Sequence, residues 1–151
     1  MPKRPDDDAS AARVHELAGD LHAVLGKLKR RLREQASAGE LTSSQISVLG
    51  RIEREGPATV TALARAERMR PQSMGANIAA LEAAGLVQGS PDPADGRQTL
   101  LSLTDACRDW MRAGRAARAD WLLRAIQEHL APAEQEQLAD AVELLQRIAD
   151  S

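Results

Sequence analysis

Met69-Arg70-Pro71-Gln72-Ser73-Met74-Gly75-Ala76-Asn77-Ile78-Ala79-Ala80-Leu81-Glu82-Ala83-Ala84-Gly85-Leu86-Val87 is the stretch on which the reading of this chain turns. Pro71 suits a first helical position, because its missing N–H would have had no intrahelical partner there. Met74, Ile78 and Leu81 recur at helical spacing and make one apolar face. Gly85 fits the left-handed position just beyond a helix, and Leu86 can close back on Leu81 in a Schellman ending. The result is a helix of about four turns. Its opposite face carries Gln72, Ser73, Ala76, Asn77 and Ala80, small and uncharged, whereas the outer faces of the other helices carry Arg and Glu. Small residues let a helix backbone approach another surface closely, and Gln, Ser and Asn supply hydrogen-bonding groups there. Such a helix is suited to entering a groove.

Working outward, Leu41-Thr42-Ser43-Ser44-Gln45-Ile46 is a helix start with Thr42 as N-cap and Gln45 completing a capping box. That helix runs through Val48, Leu49 and Ile52 to Gly56-Pro57. Ala58 and Thr59 predict a short strand. Thr59 or Thr61 then caps a short helix with Leu63 and Ala64 facing inward, which breaks near Arg68-Met69. Two short helices joined so tightly, the second with a small polar face, make the helix-turn-helix pattern. Leu86–Ser90 reads as a strand, Pro91-Asp92-Pro93-Ala94-Asp95-Gly96 as a dense turn signal, and Thr99–Leu103 as the returning strand. A hairpin placed directly after the second helix is a wing, and its tip carries Arg97.

The flanks are helical. Residues 1–8 read as a mobile arm ending in three acids. From about Ala9 to Ala36, Val14, Leu17, Leu21, Leu25, Leu28 and Leu32 mark a long amphipathic helix. Thr104 caps another, with Asp105 in its first turn, and places Trp110, Gly114, Ala117, Trp121 and Ala125 on its buried side. Pro132 opens a last helix with the stripe Leu138, Val142, Leu145 and Ile148, which fits self-association.

Composition sets the outer limits. The chain has 151 residues, 43% hydrophobic and 28% charged, enough for one domain with a real core. With two Trp and no Phe or Tyr, that core must be Leu, Ala, Val and Ile, which favours helices. No apolar run approaches membrane-spanning length, so a cytoplasmic protein without a membrane partner is expected. One cysteine, Cys107, excludes an internal disulfide framework. The net charge of −2 conceals a basic cluster, Lys27, Lys29, Arg30, Arg31 and Arg33, and a tail over 131–151 with five acids against Arg147. His15, His22 and the distant His129 make a poor metal set, so no metal and no cofactor are expected. A phosphate-cradling glycine loop or a nucleophile–base constellation is not seen, which argues against an enzyme.

With its pieces in this order the chain resembles the MarR (multiple antibiotic resistance regulator) family of bacterial winged-helix transcription factors. Asp95-Gly96-Arg97 followed by Leu103-Thr104 is similar to that family's D-x-R wing motif running into an L-T helix start. Arg70–Met74 and Leu81–Val87 resemble its recognition helix and exit, and Leu41-Thr42 with Gln45 resembles its second-helix start. The resemblance covers about residues 10–150. It implies a mainly α fold with a small β wing, in one domain over 9–151. Within it, a winged helix-turn-helix spans about 41–104, and N- and C-terminal dimerisation helices span about 9–38 and 105–151. It further implies a homodimer on double-stranded DNA, most often a repressor. The recognition helices would enter successive major grooves of a near-palindromic operator, with the wings at the flanking minor grooves. A small aromatic or phenolic effector is a candidate ligand. Bound between the dimerisation helices and the winged helix, it would favour a spacing that no longer matches grooves about 34 Å apart. The family's hydroperoxide sensors use a cysteine in the first helix, so Cys107, at the start of the fifth, does not support that mode.

Carried onto this chain, Gln72, Ser73, Ala76 and Asn77 become the base or phosphate readers. Asn or Gln can pair bidentately with adenine, and a methyl can touch thymine. Arg70 suits a phosphate; it also stands where Ser, Thr or Asp would normally cap the helix. Arg97, restrained by Asp95, suits a narrow minor groove. The competing readings are a merely solvated helix face and hairpin tip, or a winged-helix module that binds protein without specific DNA affinity.

Overall fold

A computed structural model describes residues 5–36, 39 and 41–151. Its elements run α1 (Pro5–Gln35), α2 (Ser43–Glu55), α3 (Val60–Ala66), α4 (Pro71–Ala83), β1 (Val87–Pro91), β2 (Thr99–Leu103), α5 (Asp105–His129) and α6 (Pro132–Ala149). The fold is mainly α with one two-stranded antiparallel sheet. One sequence expectation needs correcting. The arm does not extend to residue 8, because α1 already begins at Pro5. A proline suits that first position, and the acids that follow it suit the first turn of a helix. Residues 1–4 lie outside the described residues.

The chain divides into two compact units, one from α2 to Arg115 and one containing α1, α6 and α5 from Ala116 on. In the first, each helix begins and ends for a local reason. The Thr42 hydroxyl accepts from Gln45 N at 3.2 Å, and the Gln45 side chain accepts from Thr42 N at 3.0 Å, completing the capping box on α2. Thr59, rather than Thr61, caps α3 by accepting from Ala62 N at 3.2 Å. Thr104 caps α5 by accepting from Cys107 N at 3.1 Å. Helix α4 closes as its sequence suggests: Leu86 N donates to Leu81 O at 3.0 Å, Gly85 N donates to Glu82 O at 2.9 Å, and Gly85 has φ +72°.

Helix α3 ends in the same motif with a residue less suited to it. Met69 N donates to Ala64 O at 2.8 Å and Arg68 N to Arg65 O at 3.3 Å, which puts Arg68 in the left-handed position at φ +55°. Among the described residues it is the one non-glycine with positive φ. A Cβ there crowds the following carbonyl and costs about 1–2 kcal/mol.

Burial binds these pieces together. Val48, Leu49 and Ile52 of α2, Leu63 and Ala64 of α3, Met74, Ile78 and Leu81 of α4, and Val87, Leu101, Leu103 and Cys107 form one cluster of buried side chains. The hairpin pairs Val87 with Leu103 and Gly89 with Leu101, so its inward residues reach that cluster while its outward ones face solvent. Ala58 adds a bridge to Leu101, with N–H···O distances of 3.2 and 2.8 Å, where the short strand was expected.

The second unit is built differently. Val14, Leu17, Val24, Leu25 and Leu28 of α1 are exposed, as are Leu122 and Leu123 of α5 and Val142, Leu144 and Ile148 of α6. The guanidinium of Arg31 lies over the Trp121 ring, 5.8 Å from its centre, so one member of the basic cluster packs on an aromatic face. Ala117, Trp121 and Ala125 of this unit are half-buried, as are Trp110 and Gly114 on the part of α5 that belongs to the first unit, where Trp110 packs against the core cluster. This agrees with the face read from their spacing.

Two substitutions separate these end effects. Arg68→Gly should raise the urea midpoint by about 0.5–1 kcal/mol of stability, the relief of left-handed strain less the extra chain entropy of glycine. Gly85→Ala should lower it by about 1 kcal/mol or more, with the slope of the transition unchanged in both.

Candidate nucleic-acid interface

Because Met74, Ile78 and Leu81 are buried, the geometry of a helix leaves Gln72, Ser73, Ala76, Ala79 and Ala80 on the exposed side of α4. Arg70 is exposed as well and makes no side-chain cap bond, so α4 starts on Pro71 without a capping side chain. The exposed ridge carries no ionised group between Pro71 and Leu81. Asn77 differs from its neighbours. It is half-buried, and its Nδ2 donates to the Ser44 hydroxyl of α2 at 3.0 Å, with the Met69 sulfur 3.9 Å away.

Behind the ridge, the turn between α3 and α4 is fastened to α2. Ser47 donates to Glu67 Oε2 at 2.8 Å, and Arg51 Nε donates to Glu67 Oε1 at 2.6 Å. Arg51 also reaches Glu55 at 2.7 Å. The hydrogen bond from Arg51, and then that from Ser47, hold the Glu67 carboxyl below its ordinary value of 4.5 against the opposing effect of burial. With side-chain exposures of 14% for Glu67 and 24% for Arg51, this pair is better shielded than an ordinary surface ion pair.

The wing is shaped by its own aspartates. Asp92 accepts from Ala94 N at 2.8 Å and Asp95 from Arg97 N at 3.1 Å, two successive Asx turns. The loop is closed by Asp92 N to Gln98 O and Gln98 N to Asp95 O, both at 2.9 Å. Asp95 therefore restrains the backbone of Arg97, and the Arg97 side chain is exposed at the tip.

A core shared by three helices and the hairpin, a bare neutral helix face and an arginine-tipped wing coincide with what comparison finds. Residues 40–98 match the MarR family model. An HTH-type transcriptional regulator of Mycobacterium tuberculosis is 37% identical over 134 residues, 89% of this chain and 93% of the relative. This chain belongs to the MarR family. A crystallised Pseudomonas aeruginosa protein assigned as a transcriptional regulator shares 38% identity and superposes with a TM-score of 0.81 over 92% of this chain and 97% of its own. The fold also matches a Staphylococcus aureus MepR mutant bound to an oligodeoxyribonucleotide, at a TM-score of 0.70 and 18% identity over 87% of this chain and 97% of that one. As a MarR-type protein it is a transcriptional regulator, and the family and its helix-turn-helix relatives imply DNA binding. Among the described residues no helix is long and apolar enough to cross a membrane.

One feature of this MarR chain was not anticipated from sequence. A hollow of about 230 Å³ lies in the winged-helix unit between the end of α2, β2 and the start of α5. Arg108, Arg112 and Arg115 line it from α5, with Glu53 the one carboxylate in its wall. Arg115 Nη1 bonds both Glu53 oxygens, at 2.9 and 3.1 Å, Arg112 bonds Asp109 at 2.8 Å, and Arg108 donates to Leu103 O at 2.9 Å. The helical spacing of the three arginines was visible in the sequence, but the wall formed by residues 52–57 was not. Neither Trp lines this hollow. Cys107 is fully buried, and burial, then the nearby Glu53 charge, pushes its thiol above the ordinary value of 9.0. That setting disfavours the thiolate that redox chemistry needs.

The Glu67 clamp has a pH signature. Its carboxyl is depressed in the folded state, so the stability it contributes is complete above about pH 4.5 and is lost as pH falls through the lowered value. Glu67→Gln should lower the urea midpoint at pH 7, and the gap from the unaltered protein should close below pH 4.5. A gap independent of pH would show that the charge on Glu67 contributes nothing.

Proposed function

We propose that this protein is a homodimeric repressor that binds a near-palindromic operator in the cytoplasm and releases it when a small ligand binds. One juxtaposition supports the reading most. The helix buried through Met74, Ile78 and Leu81 bares Gln72, Ser73 and Ala76, and the hairpin that follows carries exposed Arg97 at its tip. Gln72 and Ser73 can reach base edges in a major groove, and Ala76 can touch a thymine methyl. Arg70 and the exposed Arg68 suit phosphates. Arg97 suits a narrow minor groove, where negative potential is concentrated. That MepR carries an oligonucleotide on the same fold supports DNA as the partner.

The exposed apolar residues of α1, α5 and α6 support pairing with a second copy. Each large aliphatic side chain taken out of water contributes about 1.5–3 kcal/mol, so covering a water-facing row of them with a second copy is favourable. Division of labour follows, with terminal helices for pairing and the central unit for DNA. The hollow beside α5, lined by Arg108, Arg112 and Arg115, supports an anionic effector, such as a phenolic carboxylate, that competes with Asp105, Asp109 and Glu53 for these guanidinium groups. A transcriptional regulator of this family has no need of catalysis, and no enzymatic activity is assigned.

Arg97→Ala should weaken operator binding by about tenfold, the scale of one arginine contact, and lower the salt dependence by about one ion, with dimer mass and helical content unchanged. Unaltered affinity would remove the wing from the interface. A wild-type protein that shows no preference for any duplex from its own promoter, even at low salt, would instead favour a protein-interaction module. For the effector, Arg112→Gln and Arg115→Gln should each raise the concentration of an active phenolic acid needed to release the operator, by about tenfold for a charge-assisted bond. Release curves that coincide with wild type would move the ligand elsewhere.

A further inference from the structure

The polar side chains of α2 that face the turn fall at Ser44, Ser47 and Arg51, three and four residues apart and therefore on one face of the helix. Ser47 and Arg51 hold Glu67. Ser44 donates its hydroxyl to the Met69 sulfur at 3.2 Å while accepting from Asn77 Nδ2 at 3.0 Å. The turn is thus gripped on both sides of Arg68, at Glu67 and at Met69, and one residue is left to reverse the chain. That residue is the one in the left-handed conformation. Asn77 extends the grip one turn further, from α2 into α4.

We infer that Asn77 is a positioning residue for operator binding rather than a reader of bases. With Ser44 and Met69 it forms a strut that fixes the angle at which α4 leaves the turn. This rests on the reading that α4 is the helix that enters the groove. Bidentate pairing with adenine needs both ends of the amide turned toward one base edge. The donor end of Asn77 is turned back to Ser44, and the residue is half-buried, unlike Gln72, Ser73 and Ala76. Rotating the amide outward would break the Asn77–Ser44 bond while Ser44 keeps its bond to Met69, so α4 alone would lose its tie to the turn. The sequence motif that suggested readout therefore serves geometry instead. A recognition helix held by apolar contacts alone can slide by a fraction of a turn, whereas hydrogen bonds at its start define one angle. Contacts to base edges tolerate little such error.

The test is a double-mutant cycle in the full chain, read as binding to the footprinted operator and to a random duplex of equal length across salt concentrations. Asn77→Ala, Ser44→Ala and the pair are compared, with Ser44→Thr as the conservative variant and urea unfolding alongside. Each single change should reduce the operator-over-random ratio by about fivefold, the scale of one net hydrogen bond. The double variant should lose no more than either single, because both remove the same strut. The salt slope, which counts phosphate contacts, should stay at the wild-type value, and Ser44→Thr should recover most of the ratio. The inference is overturned if Asn77→Ala loses the operator while Ser44→Ala keeps it, the pattern of a direct base contact, or if the two losses add. Met69→Leu keeps the volume while removing the sulfur acceptor, so it gives an independent reading: a ratio unchanged from wild type would also overturn the strut. If the unaltered protein prefers no duplex, the DNA reading itself fails and takes this inference with it, an outcome distinct from a failed cycle.

Discussion

Burying Met74, Ile78 and Leu81 beneath Val48, Leu49 and Ile52 commits the opposite side of α4 to solvent, and most of the molecule follows from that commitment. A helix of this length cannot be apolar all round without being enclosed, and α4 is not enclosed. Its bare side holds small uncharged residues instead of the Arg and Glu that face water elsewhere. The hairpin is positioned by the same core, since Val87, Leu101 and Leu103 enter the cluster that holds α4. Ridge and wing are therefore two outlets of one packing arrangement. A change that loosened the cluster would disturb both together.

Packing determines which face is covered, and polar contacts determine the angle. Leucine against leucine is nondirectional, and small rotations of α4 would cost little through hydrophobic burial alone. The bonds from α2 to Glu67, Met69 and Asn77 are directional and begin at the turn, where a small change of angle moves the far end of the helix most. Arg68 bears the conformational cost. A glycine there would relax the backbone but would remove an exposed cation beside the ridge.

The overall charge would have misled on its own. A net charge of −2 suggests no affinity for nucleic acid, yet charge and apolar surface are apportioned by element. Helix α6 carries four acids against Arg147 together with exposed apolar residues, whereas the helix-turn-helix region carries exposed Arg65, Arg68 and Arg70 around a neutral ridge. Binding to a polyanion depends on which face is presented, and a sum over residues does not preserve that.

The sequence by itself determined the order of elements, because their signals are local. Capping at Thr42, Thr59 and Thr104, proline at the start of α4, glycine at its end and the 3.6-residue apolar period each act within a few residues. The same holds for the wing, whose aspartates fold their own loop. The start of α1 is not legible locally, because a proline among acids can open a helix as well as break one. What only the tertiary structure decided is how polar side chains far apart in sequence are paired. Asn77 reads as an exposed reader from its own helix, but Ser44 lies 33 residues away and turns its amide inward. Glu67 reads as a surface acid until Ser47 and Arg51 enclose it, and the arginines of α5 become the wall of a hollow only when residues 52–57 are folded opposite them. Backbone signals are short-ranged and survive in a linear reading. Side-chain partners are set by chain reversal, which brings together groups whose spacing in sequence carries no record of the contact.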